Sequence, residues 1–133
     1  SDLATYGDQY QVGARRYDMG ERSNFALLPP LITGFRQILR WGIPSIYESI
    51  SRLTDLAANQ ALKREFAVGN KSTRSGHFLG IKLPSAAPSN LVTLLEQEGI
   101  FVSIRGNSLR ITPHVYNTEE DIDVLFAALD RLL

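Results

Sequence analysis

The hydrophobic period changes at Glu65, and this change constrains the architecture more than any other feature of the chain. Before it, apolar residues recur at spacings of three and four. After it, they come in short runs broken by Gly, Pro and polar residues. Phe25, Leu28, Ile32, Phe35 and Leu39 form one helical face. Ile43, Ile46, Tyr47, Ile50, Leu53, Leu56, Ala57 and Leu62 form a second stripe, which the pattern predicts to be buried. Arg40-Trp41-Gly42-Ile43-Pro44 joins the two: Gly suits a helix end and Pro a helix start. Pro29 and Pro30 are harmless only in a first turn, so the first helix is expected to begin near Leu28, with Asn24 as a plausible N-cap. Upstream, residues 1–13 show no period and read as an extended arm or linker. Residues 14–24 read as a short strand candidate that breaks into a turn at Gly20.

Beyond Glu65, residues 66–69, 77–83, 100–105 and 109–112 read as strands, with Gly106-Asn107-Ser108 as a hairpin-like turn. Residues 85–95 read as a helix with Gly99 past its end. Thr118-Glu119-Glu120-Asp121 opens a last helix with a capping box in which Asp takes the place of Glu. Ile122, Leu125, Phe126, Leu129, Leu132 and Leu133 form its apolar face. The order predicts an α+β fold. It is a two-layer sandwich of about four mostly antiparallel strands with helices packed on them, plus an N-terminal arm and helix pair. The two central helices are long for so small a sheet, so part of their apolar surface is expected to face a partner or a further domain.

Composition narrows the function classes. The chain has 133 residues, with 14 basic and 14 acidic side chains, so no net charge draws it to nucleic acid or to an anionic membrane. The absence of Cys excludes disulfide scaffolds, thiolate metal sites and cysteine nucleophiles within it. No apolar run approaches the ~18 residues of a membrane span, and no signal-like segment is visible, so a cytoplasmic location is expected. Neither a phosphate loop nor metal-ligand spacing is present, and His77 and His114 read as structural. The most suggestive constellation is Arg105-Gly106-Asn107-Ser108-Leu109-Arg110. Two arginines flanking a tight turn can approach one region, and their planar donor forks suit a carboxylate. A surface hairpin with two solvated charges is the plainer alternative.

Two stretches resemble a known family. Arg15-Arg16-Tyr17-Asp18-Met19-Gly20-Glu21-Arg22-Ser23-Asn24-Phe25 is similar to the segment that opens the C-terminal small domain of class V aminotransferases. These are fold-type-I enzymes that depend on pyridoxal 5′-phosphate (PLP) and include cysteine desulfurases. Ser103-Ile104-Arg105-Gly106, followed by the run from Leu109 to Asp123 containing Tyr116-Asn117-Thr118-Glu119-Glu120, resembles the end of the same domain. The resemblance implies that residues 14–133 are an excised or proteolysed C-terminal domain, inactive alone, and the Ser start agrees with that expectation. The large domain would hold PLP and the Schiff-base lysine, and this fragment is expected to bind no PLP of its own. Lys63, Lys71 and Lys82 match no attachment motif. The resemblance further gives Arg110 the substrate α-carboxylate, with Arg105 as a second candidate. The partners it implies are an amino acid, a keto acid and a second copy in a homodimer. It points to Arg22, Ser23 or Asn24 for a cofactor-phosphate contact across that interface. Here Glu21 replaces the family's Thr and the segment is one residue longer, so Glu21 is expected to point elsewhere. Only four residues separate Arg105 from Arg110, and none is Cys, which argues against cysteine-persulfide chemistry. A stand-alone amino-acid-binding module and a dimerisation module are the alternatives.

Overall fold

The helical period before Glu65 produces two helices, and a reversal of backbone sign separates them. In the computed structural model, which describes residues 9–18 and 25–133, α1 runs Leu28–Trp41 and α2 runs Ile43–Lys63. Pro29 and Pro30 lie in the first turn of α1, where a missing N–H costs nothing. Gly42 takes φ 80°, which an L side chain rarely adopts, and Pro44 follows in the first turn of α2. At the far end of α2 the chain closes with a Schellman arrangement. The Phe66 N–H donates to the Ala61 carbonyl at 3.0 Å and the Glu65 N–H to the Leu62 carbonyl at 3.1 Å. Glu65 itself is left-handed at φ 62°, a position usually given to Gly. The change of period seen in the sequence is thus a helix stop.

The chain divides into two compact units, residues 1–40 and 41–133. In the first, residues 13–17 form a 3-10 helix rather than the expected strand. The Asp18 N–H closes its last turn on the Arg15 carbonyl, and Arg16 Nε donates to the Gly13 carbonyl. Ala14 and Val12 are too few apolar residues to bury a strand face, so local hydrogen bonds decide the conformation. No residue of α1 is buried; Phe35 is 57% and Leu39 75% exposed. Its apolar stripe is therefore formed but uncovered.

The second unit is built on a three-stranded antiparallel sheet. Its strands are β1 (Leu79–Lys82), β2 (Ser103–Arg105) and β3 (Ser108–Ile111), in the order β1-β3-β2. The expected fourth strand at 66–69 shrinks to a single bridge, Val68 with Ile81, supported by the Lys82 N–H donating to the Ala67 carbonyl. Gly69 and Asn70 follow at once, and the Asn70 side chain instead caps a short 3-10 turn, Lys71–Thr73. Helix α3 spans Leu91–Gln97 and starts six residues later than the spacing suggested. Pro88 lacks an N–H and disfavours helical backbone in the residue before it, so residues 84–90 make turns. Helix α4 spans Glu119–Leu132.

One face of the sheet carries the core. Register pairs Leu79 with Ile111 and Ile81 with Leu109, and all four are at most 3% exposed. They join Leu53, Ala57 and Ala61 of α2, Leu91 and Leu95 of α3, and Phe126 and Leu129 of α4 in one cluster. The buried stripe of α2 is Ile50, Leu53, Thr54, Ala57, Ala58 and Ala61. Ile43, Tyr47 and Leu62, expected in it, are more than half exposed. The sheet is only four residues deep, so it covers one half of a 21-residue helix. The loop before β1 is fastened to α2 by Thr54 Oγ1, which donates to the Gly76 carbonyl at 3.0 Å. A Cβ on Gly76 would fall 2.4 Å from Ser51 Oγ, so the approach itself demands glycine.

Candidate functional site

The outer face of the same sheet is polar. Alternation along a strand sends every second side chain to the opposite side, so burying Leu79, Ile81, Leu109 and Ile111 forces Gly80, Lys82, Ser108 and Arg110 outward. Register then fixes neighbours: Arg110 pairs with Gly80 on one side and Ser103 on the other, and Ser108 pairs with Lys82 and Arg105. The site is thus two rows, Gly80-Arg110-Ser103 and Lys82-Ser108-Arg105. Diagonal neighbours on such a face lie roughly 7–8 Å apart at Cα. Arg105 and Arg110 are therefore brought to one face, as the turn between them required. Gly106 makes this possible: with φ 59° it takes the first central position of a two-residue hairpin that joins Arg105 directly to Ser108.

Arg110 is half-buried, and its guanidinium lies over the Phe78 ring, 5.7 Å from the centroid. That contact orients the side chain without using its hydrogen-bond donors. Lys82 and Arg105 are exposed. Among the described residues none of the three makes an ion pair, whereas Arg52, Arg64, Arg131 and the pair Lys71 and Arg74 are matched with Glu119, Asp130, Glu98 and Asp55 respectively. Hydrogen bonds from Lys71, aided by Arg74 and opposed by burial, hold the Asp55 carboxyl below its ordinary value. Asp130 is lowered by hydrogen bonds from Arg64. Those pairs give each of five cations a carboxylate partner, with Lys71 and Arg74 sharing Asp55, while the three cations of the sheet face have none among the described residues.

The remaining candidates separate from this face. Arg22, Ser23 and Asn24, named for the cofactor phosphate, and Glu21 lie outside the described residues, as does the expected N-cap. His77 shares a 2.6 Å hydrogen bond with Ser75 Oγ, and the His114 ring stacks on Tyr116; both histidines are exposed. The described residues hold no cluster of metal-ligating side chains. Asn117 and Asp121 have structural work. The His114 N–H donates to Asn117 Oδ1, and Asp121 Oδ2 accepts from Asn117 Nδ2 and the Thr118 N–H. These bonds, the Thr118 N–H first, keep the Asp121 carboxyl below its ordinary value. The capping box is present as the sequence predicted. Sequence reasoning missed Phe78, Gly80, Lys82 and Ser103. The signal was the alternation of Phe78, Gly80 and Lys82 in a strand whose intervening residues are apolar.

Known structures share this fold. A cysteine desulfurase from Thermococcus onnurineus NA1 superimposes with a TM-score of 0.67 at 21% identity, over 77% of this chain and 29% of that one. A NifS-like protein matches with a TM-score of 0.68 at 20% identity, over 92% of this chain and 37% of the other. The ureidoglycine-glyoxylate aminotransferase of Bacillus subtilis matches with a TM-score of 0.65 at 22% identity, over 77% and 29%. The fold is the one these chains share. It agrees with the class V resemblance read from the two motifs. The chain spans less than two fifths of the length of each of these structures. No protein-family model and no curated protein matches the sequence.

Proposed function

We propose that residues 14–133 are the C-terminal small domain of a PLP-dependent, class V aminotransferase-like enzyme acting on an amino acid. Residues 1–13 would be the arm that leads into it. The observation that carries the reading is Arg110. It is the central residue of the open sheet face, it is oriented by Phe78, it has no acidic partner among the described residues, and it stands in the stretch that resembles the family's carboxylate-binding end. Arg110 receives the α-carboxylate of the amino acid and of the keto acid, and Arg105 lines the same pocket from the neighbouring strand. The bare backbone of Gly80 leaves room beside the guanidinium.

The described residues suit the substrate rather than the cofactor. Lys63, Lys71 and Lys82 are all exposed, whereas an amine that attaches a carbonyl group at neutral pH is normally desolvated. PLP therefore belongs to the rest of the parent chain in this reading, where it supplies the electron sink for amino-acid chemistry. Arg22, Ser23 and Asn24 remain the proposed contacts to its phosphate across a homodimer interface, in a cytoplasmic enzyme. The uncovered apolar stripe of α1 favours a second role in association, because exposed stripes of this kind are normally covered in an assembly.

The test is made on the parent enzyme. Arg110→Ala is expected to lower kcat/KM for the amino acid roughly 10–100-fold, the worth of hydrogen bonds to a charged group. The PLP absorption band should stay unchanged. Amino-acid kinetics unaffected by the substitution would remove the carboxylate role.

A further inference from the structure

Residues 41–133 leave four cations without an ion pair among the described residues: Lys63, Lys82, Arg105 and Arg110. Lys63 is at the end of α2, and the other three share the outer face of the sheet. No strand position on that face is acidic. Like charges on neighbouring strand positions repel, and of the six Lys and Arg residues elsewhere in this unit all but Lys63 are paired with carboxylates. An unmatched triad is thus a place where the counter-charge comes from outside.

The geometry says how many counter-charges. Arg110 occupies the upper row alone. Lys82 and Arg105 occupy the lower row on either side of Ser108. The rows are two residues apart along each strand, ~7 Å, which flexible Lys and Arg side chains shorten by leaning inward. That separation suits an anion with two charged ends better than a single carboxylate. Gly80 supports the same conclusion. A Cβ there would meet nothing within 4 Å, and its φ is not in the left-handed region, so neither packing nor backbone demands glycine. Glycine inside a strand weakens it and often marks a bulge, a tight bend or the close approach of a ligand or another backbone; β1 pairs in regular register through Gly80, so no bulge accounts for it. Here it clears the sheet directly beside Arg110.

We propose that this face takes a dicarboxylic amino acid or keto acid. Arg110 receives the α-carboxylate, Arg105 and Lys82 receive the side-chain carboxylate, and the Ser103 and Ser108 hydroxyls are available as donors between them. The assignment of the first carboxylate rests on the proposed function. The second is new and makes Lys82 and Arg105 specificity-determining.

The experiment titrates the 133-residue chain at low ionic strength with acetate, succinate, glutarate and inorganic phosphate, followed by backbone amide NMR shifts. The chain and its Arg110→Gln, Arg105→Gln and Lys82→Gln variants are compared. The unsubstituted chain is expected to bind a dicarboxylate roughly tenfold more tightly than acetate, the order expected of one added charge-assisted contact. Arg105→Gln and Lys82→Gln should bring the dicarboxylates down toward the acetate level and leave acetate unchanged. Arg110→Gln should weaken both. Equal affinity for acetate and dicarboxylates, equal losses of both in the Arg105 and Lys82 variants, or no binding of either, overturns the inference. Phosphate bound as tightly as glutarate, and lost with the same variants, also overturns it by assigning the lower row to a phosphoryl group. Selective losses at Arg105 and Lys82 with no effect of Arg110→Gln would instead fault the α-carboxylate reading.

Discussion

On the inner face of the sheet, Leu79, Ile81, Leu109 and Ile111 are shut away from water by three helices, whereas on the outer face Lys82 and Arg105 stand in solvent around a half-buried Arg110. The two faces belong to the same eleven strand residues. A strand alternates, so a residue that stabilises the fold alternates with one that is free to do something else. The inner face is constrained by packing and the outer face by very little within this chain. That is why a run of unmatched cations and a bare glycine on the outer face carries functional weight, while the same residues in a loop would carry almost none. Substitutions that test this division should differ in stability by several kcal/mol between adjacent positions.

The largest effect is expected from Leu109→Ala, at the centre of the inner face. Leu109 is fully buried between Ile81 on β1 and Ile104 on β2. Truncation loses the transfer energy of the side chain and leaves a cavity in the core cluster, a cost of about 2–5 kcal/mol. Urea unfolding measures it. A loss below ~1 kcal/mol would mean that the inner face is not the core and that the division drawn between the faces is wrong.

Much of this division was legible in the sequence, and the failures have physical causes. The period change at Glu65, the link at Gly42, the hairpin at Gly106 and the capping box at Thr118 depend on a few adjacent residues, and local chemistry alone decides them. The strand at 66–69 and the helix start at 85 failed because each depended on a neighbour. Val68 finds only Ile81 to pair with, and Pro88 delays the helix. The buried half of α2 could not be separated from its exposed half, since one apolar stripe runs through both. Only the length of the sheet says where coverage stops. Of the candidate site, Arg105 and Arg110 were visible as a pair flanking a turn. Lys82 and Gly80 join them through the β1-β3 register, which no local pattern contains.

A smaller effect is expected at the helix that closes the inner face. Thr118→Ala removes the side chain that accepts the Asp121 N–H at the start of α4 and should cost ~1 kcal/mol near neutral pH. The same turn gives the fold part of its acid sensitivity. Asp121, Asp55 and Asp130 all have carboxyls lowered in the folded state by hydrogen bonds from Thr118, Lys71 and Arg64 respectively. A carboxyl lowered by folding contributes stability that is complete above its unfolded pKa and is lost as pH falls through its folded value. Stability should therefore hold from neutral pH down to about pH 4 and decline below it. Asp121→Asn should flatten part of that decline. Urea midpoints at a series of pH values check this, and an acid limb identical in Asp121→Asn would show that the cap does not contribute to it.

The smallest effect in stability is expected on the outer face, where its sign is the informative part. Lys82→Gln and Arg105→Gln remove exposed charges that make no ion pair among the described residues, and such substitutions usually lie within about 0.5 kcal/mol. Each also removes repulsion from Arg110 on the diagonal, so the shift should be slightly stabilising. It should fade as salt screens exposed charges. Added glutarate should reverse the order, because a ligand that binds only the folded chain stabilises it in proportion to its affinity. The unsubstituted chain would then become more stable than either variant. Variants that are destabilised without ligand would show that Lys82 and Arg105 serve the fold, and the contrast between the two faces would lose its functional side.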